Sequence, residues 1–258
     1  MEALKRFSEL AEGSLKTPPP LAVKMLRAGE EAPKATLRPR EAFKQKITVC
    51  QALFLSKRLG LSITLLAEDN DCPSAHILFG FTEPPEWWLE GNIALGWYTD
   101  KPEAARNMER AAARFKAGEY AGLTVSPLSR AEFTPDVVLV YCNSLQAMRL
   151  ICASRYEDGR LLEAKLSGRN ACADSIIRTM LTGECQLVVP GLGSRILAFS
   201  GDDELIFTIP ISRLESLTRG LEKALSITIS PTVWLGLQKI EKLPERFRKL
   251  AEIINLTD

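Results

Sequence analysis

Histidine is almost missing: His76 is the single one in 258 residues. A two-histidine metal helix is therefore excluded, and a Ser-His-Asp triad would have to use His76 without any G-x-S-x-G elbow to present its serine. Six cysteines occur, at 50, 72, 142, 152, 172 and 185, and none forms a C-x-x-C pair. Zinc-ribbon and thioredoxin-type motifs are thus absent. Charge of one sign is lacking too, with a net of +1, so there is no electrostatic footprint for nucleic acid or an anionic membrane. No apolar run is long enough to span a bilayer, and the opening MEALKRFSELAEG is a charged amphipathic stretch without a signal core. A cytoplasmic location with reduced thiols is the expectation.

What is present is the composition of an ordinary globular chain, 46% hydrophobic and 25% charged. Two stretches also read alike. PPLAVKML, VCQALFLSKRLG, LSITLLAE and DNDCPSAHILFGF, from Pro19, are matched from Pro135 by PDVVLVYC, SLQAMRLICASRYEDG, LLEAKLSG and RNACADSIIRTML. Each reads as strand, amphipathic helix near a Gln-Ala pair, strand, then a polar turn delivering a cysteine into a helix. The expectation is an α+β fold of two pseudo-symmetric βαβα-type repeats, with mixed sheets covered by helices. An N-terminal helix occupies 1–19, the first repeat 20–130 and the second 131–258, packed as one body.

Individual elements follow from pattern. A helix is predicted over 40–59, stopped by Gly60, and strands over 21–26, 61–67, 123–127, 136–141 and 161–166. After Cys185 the pattern changes to strands: CQLVVP, RILAF, a hairpin at SGDDE, then LIFTIPI. Closing helices are expected near 212–225 and 244–254.

Cys72 and Cys172 fall at equivalent helix starts, where free N–H groups and the helix dipole favour the thiolate. Two such starts around a pseudo-twofold axis suit a soft metal or iron–sulfur centre; small cysteines packing in a repeat core are the plainer reading. Cys50 stands where the second half has Leu145, as a third ligand or as core variation. His76, four residues beyond Cys72, shares its helix face and reads equally as an interior hydrogen-bonding residue. Cys142 ends a strand, Cys185 begins one, and Cys152 reads as core. Gly191, Gly193, Ser194 and Arg195, in GLGSR, lack the P-loop lysine, yet the glycines admit a close ligand and Arg195 suits a carboxylate or phosphate. A tight β-connection accounts for the same residues. Asp202, Asp203 and Glu204 suit a hard cation or a solvated tip, and Trp87, Trp88 and Trp97 an apolar pocket, a lid or core plugs.

Taken together, PPLAVKM, VCQAL, the cysteine at 72, PDVVLVY with QAM, ACADS, and GLGSR followed by DDELIFTIP resemble the family called domain of unknown function 169. The likeness runs from about Leu21 to Leu225. It implies recurring cysteines at Cys50, Cys72 and Cys172 and an occurrence mainly in anaerobic bacteria and archaea, but no activity.

The leading expectation is an iron–sulfur or other thiophilic metal centre held by Cys50, Cys72 and Cys172, with a fourth ligand from His76, Cys142 or Cys185. It would serve redox or small-molecule chemistry, with a small anionic molecule or a redox protein as partner and a homo-oligomer compatible with the sequence. The alternative is a metal-free small-molecule binder or thiol enzyme, and a third reading is a repeat scaffold for a partner enzyme.

Overall fold

The structure is a computed structural model that describes residues 2–226 and 245–254. The chain divides into two units, 1–226 and 227–258. In the second, the described residues form one helix, Glu245–Ile253, labelled α11 below.

The first unit is built on one six-stranded sheet: β1 (Leu21–Leu26), β2 (Ile63–Leu66), β3 (Gly122–Pro127), β4 (Val137–Cys142), β5 (Gln186–Val188) and β6 (Leu205–Pro210). The order across it is β2-β3-β1-β4-β6-β5, and every neighbouring pair is antiparallel. The fold is α+β, with one antiparallel sheet in place of the mixed sheets expected.

Both faces are covered, so the inner strands are buried almost throughout, β4 as an unbroken apolar run and β1, β3 and β6 with a few polar residues among apolar ones. The pleat sends successive side chains to opposite faces. In β4, Val137, Leu139 and Tyr141 join one core while Val138, Val140 and Cys142 join the other. The first core is closed by α3 (Val49–Leu59), α4 (Pro73–Leu78) and a π-helical turn, Ala173–Ile177. The second is closed by α1 (Glu2–Glu9), α7 (Ser144–Ser154) and α10 (Leu214–Leu225). The remaining helices are α2 (Pro39–Ala42), α5 (Glu86–Leu89), α6 (Pro102–Arg110), α8 (Arg178–Thr182, continuing the π turn) and α9 (Leu192–Ala198). Among the described residues no helix is long and apolar enough to cross a membrane.

Matching chemistry opens the helices that follow the two central strands. Thr48 accepts from the Gln51 N–H while the Gln51 side chain accepts from the Thr48 N–H, and Asn143 and Gln146 do the same. The Gln-Ala pairs thus mark reciprocal caps. The first cap also breaks the long helix expected over 40–59: the chain turns at 43–48 and restarts at Val49. Gly60 ends α3 in the left-handed conformation, φ 67°.

Two expected strands are not there. LLEAKL, 161–166, alternates apolar and polar residues but pairs with no strand, leaving Leu161 and Leu166 exposed. RILAF falls in α9, whose N-cap is Gly191, so SGDDE is a helix-to-strand connection and no hairpin. Cys152, expected in the core, lies exposed on α7.

The tightest helix packing is α10 on α7. A Cβ on Gly220 would lie 2.3 Å from the Ala153 carbonyl oxygen and 2.7 Å from the Tyr156 Cβ. Gly220→Ala should therefore destabilise the protein by about 1–3 kcal/mol, the usual cost of overpacking, despite alanine's better helix propensity. Urea unfolding measures it, and an unchanged midpoint would refute this close approach.

Candidate active site: a three-thiol pocket

Cys50, Cys72 and Cys172 line one cavity of about 330 Å³. They arrive from three directions. Cys50 sits in the first turn of α3, Cys72 is the N-cap of α4, and Cys172 precedes the π turn. Ala75, Leu78, Ile93, Trp97 and Leu197 supply apolar wall. Trp97 is an exposed rim residue, whereas Trp88 is buried in the core and Trp87 projects outward.

The three thiols are not equivalent. Cys50 accepts a hydrogen bond from Cys172 and lies 3.7 Å from the Ser194 hydroxyl; these donors outweigh burial and lower its pKa to about 7. The same shared proton, together with burial, raises Cys172 well above an ordinary thiol. Cys72 is also raised, because burial outweighs the hydrogen bonds it receives from the N–H groups of Ala75 and Ser74. The helix starts therefore do not make Cys72 and Cys172 the thiolates. The thiol whose pKa falls is Cys50, through its side-chain donors.

The residues proposed as a fourth ligand lie elsewhere. The His76 ring nitrogen is 3.1 Å from the Asn70 carbonyl oxygen, and its ring packs edge-on against Phe81 beside a different cavity. Cys142 and Cys185 belong to the core on the far face of the sheet, where burial pushes both up to about 12. Among the described residues no three His, Cys, Asp or Glu side chains gather closely enough to hold a metal ion.

The GLGSR segment contributes in part. Gly193 and Ser194 line the pocket. Gly191 serves a protein contact: a Cβ there would lie 2.3 Å from the Arg169 carbonyl oxygen. Arg195 turns away, donating to the Gly201 carbonyl at 2.8 Å and pairing with the exposed Asp202. Glu204 is engaged by buried Lys57 at 2.6 Å, whose ammonium also sits 3.9 Å above the Tyr141 ring.

The cation that does reach the pocket is Arg169, which the sequence reading passed over. Its guanidinium pairs with the fully buried Glu109 at 2.6 Å and lies over the Tyr98 ring, 4.9 Å from the centroid. Stranding one member of such a buried pair costs about 3–5 kcal/mol, so Glu109 on α6 fixes the segment that delivers Cys172. The one signal was position, an arginine three residues before a candidate cysteine; its partner lies sixty residues away.

A family model described as uncharacterised ArCR, domain of unknown function 169, matches residues 12–220. An uncharacterised protein of Methanocaldococcus jannaschii is 24% identical over 225 residues, which is 86% of this chain and 94% of that protein. No solved structure matches significantly.

Alkylation of Cys50 by iodoacetamide, followed by mass spectrometry, should rise with pH through a midpoint near 7 as the thiolate forms. In Cys172→Ala the lost donor should move that midpoint up toward about 8.5, the ordinary thiol value; an unmoved midpoint would rule out the Cys172 hydrogen bond. Gly191→Ala should cost about 1–3 kcal/mol through the clash with Arg169. Gly193→Ala, with nothing within 4 Å of the added Cβ, should instead be neutral or stabilising in the same thermal melt.

Proposed function

The chain belongs to that uncharacterised ArCR family, which assigns it no activity, and we propose from the pocket itself that the protein binds a small molecule and acts on it through a thiol. Cys50 is the nucleophile toward a soft electrophilic centre. Cys172 donates the hydrogen bond that keeps Cys50 ionised near neutral pH, and Ser194 assists. The observation that carries this reading is the meeting of Cys50 and Cys172 in one largely apolar cavity, with the Ser194 hydroxyl 3.7 Å from the Cys50 sulfur. A thiolate is the reactive form of cysteine, and its formation near pH 7 suits a nucleophile. A cytoplasmic setting, where thiols stay reduced, is part of the proposal.

A second reading rests on a different observation, the convergence of three cysteines from distant parts of the sequence on one wall. In that reading Cys50, Cys72 and Cys172 hold an iron–sulfur cluster, whose corners spread wider than the single ion their present spacing fails to enclose. The soft thiolate set fits such a group chemically. The cluster would supply redox or Lewis-acid chemistry, and a redox protein becomes the natural partner. Both readings accommodate a duplicated origin, with β1–α3 and β4–α7 as corresponding units about the β1–β4 seam.

Purification without oxygen, a visible spectrum, and assays of iron and acid-labile sulfide separate the two. The thiol reading expects a colourless protein in which Cys50→Ser abolishes fast alkylation while Cys72→Ser leaves Cys50 reactive. A brown protein with stoichiometric iron and sulfide, lost in each of Cys50→Ser, Cys72→Ser and Cys172→Ser, would replace it with the cluster.

A further inference from the structure

A second cavity, of about 610 Å³, adjoins the thiol pocket. The two share Tyr98, Arg169 and Asn170 on their walls, so Arg169 stands at the partition between them. The added compartment is lined by Lys165 and Arg178 among basic residues and by Asp174 as its acid.

Its charges are unevenly committed. Asp174 is saturated: one oxygen accepts from the Ser167 N–H and hydroxyl, the other from Arg178 at 3.1 Å. Glu109, behind Arg169, is held by it through one oxygen, while its other oxygen has no partner. On the basic side, donors are left over. The Arg169 side chain is 9% exposed and its Nη1 has no hydrogen-bond partner, and the Arg178 Nε has none either. Lys165 is exposed and makes no ion pair among the described residues. A buried guanidinium nitrogen without an acceptor is costly, and a ligand oxygen would satisfy it.

We infer that this compartment binds the anionic group of the ligand, a carboxylate or phosphate held by Arg169 with Lys165 and Arg178, while the ligand's reactive end lies at Cys50. The proposal rests on the thiol reading for the reactive end alone. It assigns to Arg169 the anion-binding role that the sequence offered for Arg195. The ligand is a small anionic molecule with an apolar middle, its charge and its electrophilic atom on opposite sides of Tyr98.

Two alkylating reagents differing in charge test this. Rates for iodoacetate and iodoacetamide are measured at Cys50 by mass spectrometry, with exposed Cys152 as the internal reference. The iodoacetate-to-iodoacetamide ratio should be roughly tenfold or more higher at Cys50 than at Cys152, as expected where a cationic cleft concentrates an anion. It should collapse to the Cys152 value in the Glu109→Gln/Arg169→Gln protein, which neutralises both members of the buried pair, and fall partway in Lys165→Gln, a rim change that leaves packing intact. Equal ratios at the two cysteines, or a preference that survives both variants, would overturn the assignment.

A second measurement does not use the thiol. Millimolar inorganic phosphate should raise the melting temperature of Cys50→Ser but not of the Glu109→Gln/Arg169→Gln protein. If Cys50 resists both reagents while phosphate still stabilises Cys50→Ser, the nucleophile reading fails and the anion compartment stands. Absence of any phosphate shift, with Cys50 alkylated at equal ratios, sinks the compartment and leaves the nucleophile.

Discussion

Everything in the first unit depends on the pleat of two central strands. β1 and β4 pair antiparallel in the middle of the sheet, through Leu21–Leu139 to Val23–Val137. Because alternate side chains leave on opposite faces, each strand feeds two cores at once. That alternation divides the cysteines: Cys142, ending β4, belongs with Cys185 in the core under α1, α7 and α10, whereas Cys72 and Cys172 pack against the core under α3 and α4. A one-residue slip of β4 would exchange Cys142 for Tyr141 and place a ring where a thiol now packs.

Upon that frame the site is assembled by polar contacts of long range. Arg169 meets Glu109, Lys57 meets Glu204, and the Gly191 backbone lies directly on that of Arg169. The first ties the loop before the π turn to α6, the second ties the connection before β6 to α3, and the third seats the start of α9 on that same loop. The 155–170 stretch pairs with no strand, so its position comes from such ties rather than from a hydrogen-bonded ladder. Charge buried in pairs is weak as a source of stability but strict about geometry, which suits a segment that must bring a cysteine to a fixed place.

Much of this was legible. Most inner strands announced themselves as apolar runs, the Gln-Ala pairs marked helix starts, and Cys72 and Cys172 were placed at helix beginnings by their polar turns. Where the reading failed, local pattern and tertiary context disagreed. RILAF has strand-like composition, yet Gly191 before it and the left-handed Phe199 after it, φ 48°, bound a helix that packs on α3. LLEAKL alternates like a strand but pairs with neither edge strand, β2 or β5. Arg195 was the arginine in a glycine-rich motif, and its own neighbour, the Gly201 carbonyl, took it. Arg169 stood in no motif, because what gives it meaning is Glu109 on another helix. Which cysteine ionises depended on side-chain donors that no spacing reveals.

The π turn before α8 has a consequence of its own. Such a turn carries one residue more than an α-helical turn and is kept in proteins mainly at places of use. Residues seven apart share a face of a straight α-helix; here Cys172 looks into the pocket while Thr179 is hydrogen-bonded to Thr208 on the sheet. The extra residue sets the angular offset between those two tasks. What this segment must preserve is its length: losing one residue would straighten the helix and turn the thiol aside, whereas many exchanges of side chain would not.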